Sequence, residues 1–128
     1  MVSGSPEQFP VAVIGAGPVG LSAAAQLATR GLDFVVLEAG DQIGASVRDW
    51  AHVRMFSPWR FNTDPAARAL LGATGWAAPA PEALPTGGEL IDEYLAPLAA
   101  HPAIAPHVRL GATVTVVGVV TVSTAGES

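Results

Sequence analysis

Apolar positions follow two different rhythms along this chain, and the changes of rhythm mark its elements. Residues 11–14 form a short apolar run, and residues 33–37 form a second that ends on Glu38. Between them lies a glycine-rich turn over residues 15–20, followed by residues 21–30 with helical character. The order predicted is strand, loop, helix, strand, the opening of a βαβ unit. Residues 64–72 predict a short helix in which Asp64 caps, Pro65 suits the first turn and Gly72 stops the run. Residues 77–85 hold three prolines and read as an extended loop. Thr86-Gly87-Gly88-Glu89 fits a capping box. The helix it starts places Leu90, Ile91, Tyr94, Leu95 and Leu98 on one face, with Asp92 and Glu93 opposite. Pro97 removes a backbone donor, so a kink or an early end is expected there. From Val108 the period becomes two: Val108, Leu110, Ala112, Val114 and Val116 alternate with Arg109, Thr113 and Thr115. That predicts one half-buried strand, with a further strand over residues 119–123 and a bend or bulge at Gly118. Residues 1–9 read as a flexible start and residues 123–128 as a frayed tail.

The turn between the first two strands carries the chemistry. Gly15-Ala16-Gly17-Pro18-Val19-Gly20 fits G-x-G-x-x-G, with a strand before it, a helix after it and an acid, Glu38, at the end of the next strand. In a chain with 14 glycines the triplet alone is weak, and the surrounding elements make it specific. Gly15 is expected where the chain turns sharply out of the strand and a Cβ would clash. Gly17 permits close approach of a pyrophosphate, and Gly20 lets the helix lie against the strand. The helix start offers N–H groups and the positive end of its dipole to phosphates, and Pro18 costs no hydrogen bond in the first turn. The Glu38 carboxylate can accept from both hydroxyls of an adenosine ribose and repels a 2′-phosphate, which favours FAD or NAD over NADP. The fold class is therefore α/β, a partial Rossmann-like dinucleotide-binding domain over residues 10–122. It comprises a βαβ start, a helical insertion and further β-strands.

Composition narrows the partners. At 128 residues the chain is one domain or less, set against roughly 100–200 residues per domain. Half of it is hydrophobic and mean hydropathy is +0.42, high for its size. Net charge is −5, and the six basic residues are all arginines that form no stripe, which argues against nucleic acid and acidic membranes. Without cysteine there is no disulfide, thiolate metal site or redox dithiol. His52, His101 and His107 lack metal-ligand spacing. Residues 9–29 are uncharged and long enough to consider spanning a membrane. Two prolines, three glycines and Gln26 interrupt them, and no basic segment precedes them. No membrane association is expected, and the cytoplasm is the expected compartment.

These features resemble the start of FAD-dependent oxidoreductases of the flavin-containing monooxygenase and pyridine-nucleotide reductase superfamily. The likeness rests on Gly15, Gly17, Gly20 and Glu38, then on Ala39-Gly40-Asp41-x-x-Gly44, and continues through Leu84-Pro85-Thr86-Gly87 to the strand around Val114. It covers most of residues 10–117. The resemblance implies FAD as cofactor, its pyrophosphate on the glycine loop with Pro18, its adenosine ribose on Glu38 beside Ala39, and its adenine edge against backbone of the strand at Val114. It also implies a Gly-Gly pair packing on the cofactor at Gly44. Here Gly44 is followed by Ala45, which would weaken or reposition the flavin if close backbone approach is needed. NADPH or NADH is implied as reductant, held by a second nucleotide-binding domain, together with a Gly-Asp element that closes over the flavin. Nothing after Val117 resembles either. The chain is thus expected to be the N-terminal part of such an enzyme, inactive alone, with a second chain able to supply what it lacks.

Residues 48–62 hold four of the eight aromatics and three of the six arginines. One reading makes this a flavin- and substrate-facing loop; the other, slightly favoured, makes it a structural loop packing on absent domains. Histidine is the side chain that most often serves as a base, so His52 could act as one, but no partner is in view. Flavin chemistry resides in the cofactor, so no nucleophile or triad is required, and none is seen. Two other functions fit the residues: an NAD-binding module of an ordinary dehydrogenase, and a non-catalytic remnant or partner-binding subunit with a nucleotide fold.

Overall fold

The computed structural model describes residues 10–115 and 122–124. Strands β1 (Val11–Ile14), β2 (Phe34–Glu38) and β3 (Val108–Leu110) form a parallel sheet in the order β1-β2-β3. Val11 pairs with Phe34 and Ile14 with Leu37, while Glu38 pairs with Leu110. The carboxyl ends of the three strands therefore lie along one side of the sheet, where open α/β folds bind ligands. β2 is central, with Phe34, Val36 and Leu37 buried. β1 occupies the edge among the described residues: only Val13 is buried, and Val11 and Ile14 are exposed.

Helix α1 (Pro18–Thr29) makes the crossover from β1 to β2. It buries Gly20, Leu21, Ala24 and Ala25, a helical spacing whose small residues let it lie close to the sheet. Next come α2 (Ala45–Arg48), α3 (Trp59–Asn62) and α4 (Pro65–Gly72). In α4 the Asp64 carboxylate accepts from the N–H groups of Ala66 and Ala67, the cap expected from sequence. The Thr86–Glu89 capping box likewise forms and starts α5 (Gly87–Leu90). Leu90, Ile91, Tyr94, Leu95 and Leu98 all face the core, and Asp92 and Glu93 are exposed.

Two expectations are corrected. Of the kink or early end expected at Pro97, the early end does not occur: a π turn over Ile91–Leu95 precedes the proline, and α6 (Ala96–Ala100) carries on through it. The proline withholds the N–H that would reach the Glu93 carbonyl at helical spacing. The Trp76 indole Nε1 donates to that carbonyl instead, at 2.7 Å. The single alternating strand from Val108 is also broken. Gly111 takes φ +62 and its N–H donates to the Gly40 carbonyl at 2.8 Å, which turns the chain out of the sheet. β3 stays in the parallel sheet, and β4 (Ala112–Val114) pairs antiparallel with β5 (Val122–Thr124) in a second, two-stranded sheet. Leu110, expected to face inward, is exposed. Val122 and Ser123, within the further strand expected over 119–123, belong to β5, which runs on to Thr124, expected in the tail. The readings of residues 1–9, Val116, Gly118, the strand portion 119–121 and residues 125–128 fall outside the described residues.

Candidate functional site

Between β1 and α1 the backbone is committed before any ligand is considered. Gly15 donates to the Leu37 carbonyl at 2.8 Å, extending the β1–β2 ladder by one step. Its φ of +100 then redirects the chain. A Cβ there would meet nothing within 4 Å, so conformation and not a clash requires the glycine. That corrects the steric reason expected from sequence. Gly20 is the position where space decides: a Cβ would sit 1.9 Å from the Gly15 carbonyl oxygen. Gly17 caps α1 with no side-chain acceptor for the first-turn N–H groups, and a Cβ on it would point into open space. The start of a 12-residue helix is thus left with free donors and room in front of them.

Glu38 closes this loop from the other side. Its Oε1 accepts from the Ala16 N–H at 2.8 Å and its Oε2 from the Gly40 N–H at 2.8 Å. The Ala16 carbonyl in turn accepts from Gly44 at 2.8 Å. Gly44 adopts φ +66 at the start of α2 and rests on Ile91, whose Cγ1 would lie 3.3 Å from an added Cβ. Ala45, the departure from a Gly-Gly pair, packs toward Gly40: a Cβ on residue 40 would lie 2.7 Å from that of Ala45. The glycine two residues after Glu38 makes room for the alanine.

Two clefts flank the loop. One, of about 360 Å³, is lined by Gly15, Glu38, Ala39, Ser46, Thr113 and Val114 among others. The other, of about 390 Å³, runs along the first turns of α1 between Pro18, Val19 and Ser22 and the segment 61–65. Of the residues singled out from sequence, Gly15, Glu38, Ala39 and Val114 meet in the first cleft and Pro18 lines the second. Gly20, Gly44 and Ala45 support the loop from behind. Ser46 was missed, and Gly40, within the element after Glu38, carried no role of its own from the sequence. Ser22 and Asp64 were missed too: the Tyr94 hydroxyl accepts from the Asp64 N–H at 3.0 Å and also bonds Ser22. Burial pushes the Tyr94 hydroxyl pKa above its usual 10.0, the Asp64 bond acting in the opposite direction.

Part of residues 48–62 packs on this chain, with Trp59 buried, while Val53, Phe56 and Phe61 are exposed. Met55 and Trp59 donate to the Pro85 and Ala83 carbonyls, and Gly87 donates to Val53. Trp50 lies so close that a Cβ on Gly87 would be 2.7 Å from its ring. Arg54 pairs with Glu89 at 3.6 Å and Arg60 with Glu82 at 2.8 Å. Only Phe61 and Asn62 of this segment reach the α1 cleft. His52 is exposed and lines neither cleft. Among the described residues no group of three or more His, Cys, Asp or Glu could hold a metal ion, and no helix is long and apolar enough to cross a membrane.

A family model described as FAD dependent oxidoreductase matches residues 10–119. The chain belongs to this family. No curated protein sequence matches it. Among solved structures, this FAD dependent oxidoreductase chain is similar to an oxidised steroid monooxygenase bound to NADP, at 22% identity and TM-score 0.64. That alignment covers 84% of this chain and 20% of the monooxygenase. An FAD-bound form of OTEMO aligns at 21% identity and TM-score 0.61, over 84% of this chain and 19% of that one. The bacillithiol disulfide reductase Bdr (YpdA) from Staphylococcus aureus aligns at 21% and 0.61, over 93% and 34%. Identities this low establish the shared α/β fold. The chain spans about a fifth of the length of OTEMO and of the steroid monooxygenase.

Proposed function

We propose that this chain is the FAD-binding portion of an NAD(P)H-dependent, monooxygenase-like flavoprotein oxidoreductase. One observation carries the reading: Gly15, Glu38, Ala39 and Val114 converge on one cleft at the carboxyl ends of β1 and β2, beside the free N-terminus of α1. The residues suit the group. The pyrophosphate would take the first-turn N–H donors of α1 in the space in front of Gly17. The Glu38 oxygens each accept one backbone N–H, which leaves lone pairs for the ribose hydroxyls. The adenine would lie toward Ala39 and the backbone of Val114. Bound FAD supplies the redox chemistry; this chain binds and orients it.

Support for FAD over the dehydrogenase reading comes from the family match and from the Gly44 element and long aromatic-bearing insertion after Glu38. Support for a pyridine-nucleotide reductant comes from solved relatives, the OTEMO complex with FAD and NADP among them. Segments outside this chain, or a second chain, would hold that reductant, and the chain alone would not oxidise it. The test is to titrate FAD, NAD and NADP into the purified chain, then to record flavin absorbance and NADH and NADPH oxidation. Weak saturable FAD binding without turnover is expected. A chain that prefers NAD supports the dehydrogenase module, and a folded chain that binds no dinucleotide supports the non-catalytic reading. A yellow monomer that turns over NADPH would show the dependence on further segments to be wrong.

A further inference from the structure

Away from the glycine loop, a concave site of about 250 Å³ opens between α3, α4 and the proline-bearing strap that follows Trp76. Trp59, Trp76, Pro79, Pro81, Arg60 and Arg68 define it. Its apolar surfaces are fixed in place. Trp59 is buried, and the Trp76 indole is held by its bond to the Glu93 carbonyl. The strap is tied by the Arg60 N–H donating to the Pro81 carbonyl at 3.0 Å. The two arginines differ. Arg60 is neutralised by Glu82 at 2.8 Å and its guanidinium lies 4.0 Å over the Phe61 ring. Arg68 spends only Nη1, on the Thr63 carbonyl at 2.8 Å and the Thr63 hydroxyl at 2.7 Å. Among the described residues no carboxylate pairs with it. One uncompensated guanidinium thus sits at the rim of a rigid indole- and proline-walled cleft.

We propose that this cleft is a binding site for a small monocarboxylate with a compact apolar body. The carboxylate would take the open Nε–Nη2 fork of Arg68, whose planar geometry matches it, and the apolar body would lie against the two indoles. A monoanion fits better than phosphate, because one cation is uncompensated and Glu82 stands beside the rim. The volume falls below that of drug-sized pockets, about 300–1,000 Å³, which limits the body to a ring or a short branched chain. Thr63 lines both this site and the α1 cleft, so an occupant would sit next to the segment that walls the latter.

The probe is cyclohexanecarboxylate, titrated into the purified chain and followed by tryptophan emission, since two of the three tryptophans line the cleft. A saturable change with Kd on the order of 1 mM is expected. Cyclohexylmethanol and inorganic phosphate should bind about tenfold more weakly or worse, and Arg68→Gln should lose about tenfold or more. Arg68→Gln also removes the Thr63 contacts, so Ala78→Phe serves as the second variant. It places a ring in the cleft without touching a hydrogen bond of either arginine, and it should abolish the response. Equal affinity for cyclohexylmethanol, or unchanged binding in Ala78→Phe, overturns the proposal.

Discussion

Replacing Glu38 by glutamine tests whether the acid has two tasks. The carboxylate holds Ala16 and Gly40 through two 2.8 Å bonds from backbone N–H groups. Glutamine keeps one acceptor oxygen but turns an NH₂ group toward the other backbone donor. One charge-assisted bond is lost, about 1.5–3 kcal/mol, and the half-buried setting favours the lower end. For a chain of this length 1 kcal/mol corresponds to roughly 4 °C in Tm, so the ligand-free protein should melt about 6–12 °C lower. FAD affinity should fall about ten- to a hundredfold, as the ribose loses its anionic acceptor. Discrimination against NADP should also relax. Circular dichroism melts and calorimetric titration of both nucleotides provide the readout. A lowered Tm with unchanged FAD affinity would leave Glu38 as a staple of the loop only. If both quantities are unchanged, the whole argument for this residue fails.

Other substitutions separate fold from site. Gly17→Val should lower the melting temperature only by the cost of a poorer N-cap, since a Cβ there meets nothing within 4 Å, yet remove dinucleotide binding; retained binding in the folded variant would reduce the loop to a turn. Gly20→Ala should do the reverse, destabilising the chain by about 1–3 kcal/mol in denaturant titration, because its methyl would overlap the Gly15 carbonyl. Tyr94 ionises less readily in the fold than in the unfolded chain, so its contribution is complete below pH 10.0 and is lost as pH rises through the folded value. Unfolding free energies measured between about pH 9 and 11 should fall for the wild type, and Tyr94→Phe should remove that part of the slope.

Local signals were legible where the causes are local. The βαβ opening, the Asp64 cap, the Thr86–Glu89 box and the buried face from Leu90 to Leu98 all follow from neighbours within a few residues. What escaped depends on partners distant in sequence. The break at Gly111 is fixed by the Gly40 carbonyl, 71 residues earlier by the difference of the two numbers. Alternation alone therefore read two strands of different sheets as one. At Pro97 the carbonyl that the proline leaves without its helical donor accepts from an indole at position 76. The packing of residues 48–62 depends on the strap at 81–89, which no pattern within that segment announces. For the site, the sequence named Gly15, Glu38, Ala39 and Val114 of the first cleft but not Ser46. It could not say that Glu38 already holds the backbone on either side of it, because that requires the loop's coordinates.

The Trp76–Glu93–Pro97 arrangement also restricts how this helix can change over generations. Substituting Trp76 alone removes the indole donor from the Glu93 carbonyl, and the proline cannot donate in its place. Substituting Pro97 alone restores a backbone N–H that competes with the indole for the same oxygen. Either residue is replaceable mainly in the company of the other, or in a set order with Pro97 changing first. The two positions are therefore epistatic, and their shared history should show as paired replacement, although 21 places separate them in the sequence.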